Sequence, residues 1–78
     1  MTDQETQNRR YDLIVKLAEE PLPMLVHLYL VAGESMQEEE DRYLRHYLNE
    51  ECKLIHAVGR FRFGLTAWEE AETKALGL

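Results

Sequence analysis

Between Pro23 and Gly33 lies the run Met24-Leu25-Val26-His27-Leu28-Tyr29-Leu30-Val31-Ala32, in which only His27 is strongly polar. A segment that is apolar on nearly every side has to be covered on nearly every side. The periodicity of so short a run does not separate a buried strand from a helix. Its leucine content, with proline at the start and glycine just past the end, predicts a helix over Pro23–Ala32. The chain that must cover it is short, at 78 residues.

The flanking segments carry helical signals. Before Pro21 and Pro23, Tyr11, Ile14, Val15 and Ala18 form an apolar stripe widened by Leu13 and Leu17, with Asp12, Lys16, Glu19 and Glu20 opposite. That is the pattern of an amphipathic helix over Asp3–Glu20. Thr2 and Glu5 have the spacing of a capping box at its start, and the prolines end it. After Gly33, Ser35 and Glu38 offer a second capping box. The acidic run Glu38 to Asp41 would then lie where a helix dipole favours anions. A long helix is expected over Met36–Val58, with Leu44, Tyr47, Leu48, Leu54, Ile55 and Val58 on one face and Gly59 as its C-cap. Arg60-Phe61-Arg62-Phe63-Gly64 alternates like an extended connector. Thr66 and Glu69 give a third capping box before a short helix, Ala67–Leu76, anchored by Trp68. The expected fold is all-α, a small helical bundle of three main helices plus a short C-terminal one, in a single domain spanning 1–78. The chain begins with Met and is expected to be a complete small protein.

Surface scaling gives a folded area of about 4,900 Å² for 9.2 kDa and leaves room for only a modest core. No apolar run reaches the ~18 residues of a membrane span, and MTDQETQNRR lacks the apolar stretch of a signal peptide. One cysteine, Cys52, allows no internal disulfide, so a cytoplasmic setting is expected and stability must come from packing or from a partner subunit.

Motifs for catalysis are absent: there is no G-x-x-x-x-G-K, G-x-G-x-x-G, H-E-x-x-H or G-x-S-x-G. Cys52 and His56 stand four apart on the long helix, but two ligands do not make a metal site, and no cofactor is expected. Cys52 is expected on the helix surface and to be dispensable. His27 is expected to be a satisfied core or interface histidine. Glu51 falls on the apolar side of the long helix, where it either reaches solvent or pairs with a base across an interface.

The chain carries 9 Lys+Arg against 15 Asp+Glu, a net charge of −6. Against that balance, Arg42, Arg45, His46, Asn49, Lys53, His56 and Arg60 fall within about 100° of one another on the long helix. This basic stripe, about 27 Å long, is either a solvated face or a docking surface for an acidic partner protein. Nucleic acid is the alternative partner, held by the stripe with the alternating Arg/Phe run. A helix–turn–helix arrangement is excluded, since the turn offered to phosphate would be Gln37-Glu38-Glu39-Glu40-Asp41.

The expectation is a non-enzymatic protein-interaction module. A homodimeric regulator or inhibitor of another protein is the form expected, and phage- and plasmid-encoded regulators are often of this size and acidity. The dimer is expected because two long helices with one apolar stripe each cannot surround the second segment. Leu25, Leu28, Tyr29 and Ala32 would then line the interface.

Overall fold

A computed structural model describes residues 2–78 and contains four helices: α1 (Asp3–Glu19), α2 (Leu22–Glu38), α3 (Arg42–Phe63) and α4 (Leu65–Ala75). There is no strand among the described residues, so the fold is all-α. No helix is long and apolar enough to cross a membrane among those residues.

Thr2 opens α1 as its spacing predicts, its Oγ1 accepting from the Glu5 backbone N–H at 3.2 Å. The other boundaries differ from expectation. Gly33 does not stop the second helix, which runs on to Glu38. A glycine ends a helix by taking a positive φ, and among the described glycines only Gly64 and Gly77 do so. Glycine inside a helix costs about 1 kcal/mol relative to alanine, and the continuation of α2 past Gly33 half-buries Met36 one turn further on. Ser35 therefore lies within α2 and caps nothing. Asp41 caps α3 instead, accepting from the N–H groups of Tyr43 at 2.8 Å and Leu44 at 3.1 Å. The acidic run now spans the α2–α3 connection. There Arg45 donates from Nε and Nη2 to the Glu39 carbonyl, at 3.1 and 2.6 Å.

Gly59 does not end α3 either. It is buried in the middle of the last third of that helix, which continues to Phe63. The Arg60–Phe63 stretch is thus helical, and the expected extended connector does not form. Gly64, at φ +90°, both closes α3 and opens α4, so the two helices meet across one residue. Thr66 is inside α4, and no side-chain hydrogen bond caps that helix.

The core is built from Leu17, Leu25, Val26, Ile55 and Trp68, with Leu13, Leu28, Tyr29, Leu54 and Val58 packed around it. Helix α3 is the spine: α2 and α4 pack on it and on each other, and α1 packs on it separately. The molecule is a slab of 39 × 28 × 15 Å. Its short dimension is about one interhelix distance of 8–10 Å plus the width of a helix backbone, as two packed layers of helices require. The radius of gyration is 13.1 Å, against about 11.5 Å for a compact domain of this length.

Candidate partner-binding surfaces

Folding divides the basic stripe into residues that remain outside and residues that are used inside. Arg42, His46, Lys53 and Arg60 are exposed on α3. Lys53 makes one loose pair with Glu50, at 3.5 Å. Arg45 is exposed, but its guanidinium is folded back onto the Glu39 carbonyl. Asn49 is half-buried and lines the groove between α2 and α3. His56 is half-buried between two aromatic rings, with centroids 5.3 Å from Tyr29 and 5.0 Å from Trp68. That cluster of tilted rings joins α2, α3 and α4, which makes His56 a packing residue. The stripe is therefore narrower in solvent than on a helical wheel, because its inward edge meets α2 and α4, while its length from Arg42 to Arg60 is kept.

Tyr43 and Phe61 are missing from that stripe, although they are the most exposed of the large side chains around it, at 85% and 92%. The signal for them is in the sequence: Arg42-Tyr43 and Arg60-Phe61 recur eighteen residues apart. Eighteen residues make five helical turns, so the two pairs share one side of α3, about 27 Å apart. It emerges only once α3 is known to continue through Gly59 to Phe63.

Arg62 and Phe63 have a different fate from that expected of an Arg/Phe run. Arg62 Nη1 donates to the Leu17 carbonyl at 2.9 Å and to the Glu20 carbonyl, and its guanidinium carbon lies 4.6 Å from the centroid of the Phe63 ring. It thus satisfies two carbonyls at the end of α1, where a cation also meets the negative end of the helix dipole.

Within one chain the α2 patch expected to face a second copy is closed at Leu25 and Ala32 and half-covered at Leu28 and Tyr29. Leu25 is fully buried and Ala32 is buried, while Leu28 and Tyr29 pack against the core. The cover comes from Trp68 of α4, whose ring meets Tyr29 edge-on with centroids 5.5 Å apart. A short fourth helix suffices because its largest side chain is fully buried at that point. The open side of α2 carries Met24, His27 and Val31, so His27 is at the surface and not in a core.

Cys52 is likewise not on the surface. It is buried between α2 and α3, with Sγ 3.9 Å from the Tyr29 carbonyl. Burial pushes its thiol pKa up, and the neighbouring Glu51 carboxylate adds to the shift. Glu51 itself is half-buried in a groove between α1 and α3, alongside Arg9, Arg10, Leu13 and Tyr47. No grouping of three or more His, Cys, Asp or Glu side chains able to hold a metal ion occurs among the described residues. The chain matches no protein-family model, and no curated protein and no solved structure shows significant similarity to it.

Proposed function

We propose that this chain is a non-enzymatic interaction module, a cytoplasmic homodimer that regulates or inhibits another protein by docking it along the outer side of α3. The observation that carries this reading is the in-phase recurrence of Arg42-Tyr43 and Arg60-Phe61, with His46 and Lys53 exposed between them. Tyrosine and arginine are the side chains over-represented among residues that dominate binding energy. A local cationic edge on a chain of net charge −6 suits an acidic partner surface.

The test is a double charge reversal, Arg42→Glu with Arg60→Glu. Both positions are exposed, so helicity should be unchanged. Partner capture from the native cell should be lost, while the chain's own sedimentation stays as in the parent. Capture that survives the reversal removes α3 from the interface. Retardation of a labelled duplex, with affinity falling steeply as salt rises, would instead assign the row to a nucleic-acid backbone.

A further inference from the structure

Helix α1 has a broad apolar side and uses only its Leu13–Leu17 edge. Leu13 and Leu17 hold it to the rest of the molecule, Leu17 as part of the core. Tyr11, Ile14, Val15 and Ala18 fall within about 100° of one another on the wheel. All four are exposed, Tyr11 at 68%, Val15 at 45% and Ile14 at 40%. Among the described residues no helix is packed over this face, because α1 packs against α3 and has no extended contact with α2 or α4.

We propose that a second copy of this chain covers the Tyr11–Ile14–Val15–Ala18 face, so that two molecules pair through their α1 helices. This rests on the reading of the protein as a homodimer and assigns the self-contact to α1 and not to α2. Two observations select a second copy as the occupant. The first is area. The chain exposes 6024 Å², about 1,100 Å² more than a compact monomer of its mass, and a stable interface takes about 800 Å² from each partner.

The second is charge. On the wheel Arg10 bounds one edge of the face and Asp12 and Glu19 bound the other, and none of the three has an ion-pair partner among the described residues. A face with one basic and one acidic edge complements itself: two copies with parallel α1 helices bring opposite signs together along both margins. A partner of one charge sign would leave one margin repelled.

Sedimentation equilibrium of the full chain from 1 to about 100 µM, with circular dichroism on the same samples, decides the matter. The parent should sediment at about twice 9.2 kDa. Ile14→Glu should weaken dimerisation at least about thirtyfold with helicity retained, since the position is exposed in a single chain. Tyr11→Lys, at the more open position, is the second variant in case Ile14→Glu does not fold. Val31→Glu, on the open side of α2, should leave the dimer intact. A parent of 9.2 kDa throughout overturns both the α1 interface and the homodimer. A dimer that resists both α1 variants, or dissociates with Val31→Glu instead, overturns the α1 assignment and leaves the homodimer standing. Partner docking is scored separately by the α3 charge reversal.

Discussion

A Cβ placed on Gly59 would lie 2.2 Å from Cζ3 and 2.3 Å from Cε3 of Trp68, so the indole occupies the space where a side chain at 59 would have to go. Trp68 is fully buried there, against Tyr29 of α2 and His56 of α3. One ring thus joins three of the four helices, and the bare Cα of Gly59 is what lets it in.

Gly59→Ala should therefore be severe. Alanine ordinarily favours a helix over glycine by about 1 kcal/mol, yet here the methyl group must displace a ring that has no free space to move into. We expect a net loss of about 3 kcal/mol in urea unfolding, together with loss of the near-ultraviolet dichroism of Trp68. Gly33→Ala is the matched control. It is also a glycine within a helix, and a Cβ there meets nothing within 4 Å. It should stabilise by about 0.5–1 kcal/mol. Equal effects of the two substitutions would show that Trp68 does not rest on Gly59.

The caps give a second contrast. Asp41 accepts two backbone N–H groups at the start of α3, while Ser35 lies within α2 and is exposed. Asp41→Ala should cost about 1 kcal/mol. Ser35→Ala should be neutral or slightly stabilising, because alanine is the better residue in a helix interior. Chemical denaturation of the two variants measures this. A larger loss at Ser35 than at Asp41 would restore the shorter α2 that Gly33 predicts.

These contrasts mark how far the sequence was legible. The four helices and their approximate centres follow from apolar periodicity, from Thr2 and from the Pro21–Pro23 punctuation. The ends of α2 and α3 do not, because Gly33 and Gly59 are identical to helix-stopping glycines as letters. What separates them from Gly64 and Gly77 is conformation, since only the latter two take a positive φ, and at Gly59 it is also tertiary, the seat of Trp68. The same limit applies to the surfaces. A wheel groups His56 with Arg42 and Lys53, but whether a residue at the margin of a face meets solvent or Trp68 depends on where α4 returns. The apolar stripe of α1 was legible residue by residue, whereas its exposure was not, since Leu13 and Leu17 at its border turned out to be the residues that pack.

Arg62 gives a third prediction. Its guanidinium reaches 45 residues back along the chain to the Leu17 carbonyl and also meets that of Glu20, tying the end of α1 to the end of α3. Arg62→Gln should lower stability by about 1 kcal/mol, the lower end for a charge-assisted bond because the side chain is largely exposed. The loss should be local. Amide hydrogen exchange should speed up in the last turn of α1, with the protection around Trp68 unchanged. Arg62→Lys should recover only part of it, since an ammonium keeps the charge without the planar fork that can serve two carbonyls at once. Uniform loss of protection throughout the chain would mean that Arg62 holds more than the α1 terminus.

The fourth prediction concerns Cys52 and pH. Its thiol is buried between α2 and α3 and held above the ordinary value of 9.0, first by desolvation and then by the Glu51 carboxylate. The folded chain therefore binds this proton more tightly than the unfolded chain does. At neutral pH the thiol is protonated in both states, and its contribution to stability is fully present. As pH rises through 9.0 the unfolded chain ionises first, so stability falls, and it goes on falling until the folded thiol also ionises. Comparison with Cys52→Ala cancels the tyrosines and lysines that titrate in the same range. Urea midpoints of the parent and of Cys52→Ala, measured from pH 7 to pH 10, should show the parent losing stability relative to the variant above pH 9. At pH 8 a thiol reagent should label native Cys52 slowly and the urea-unfolded chain at the rate of a free cysteine, because the thiolate is the reacting form and burial suppresses it. A constant difference between parent and variant across that range, together with rapid native labelling, would mean that Cys52 is open to solvent and that α2 does not close over α3 at Tyr29.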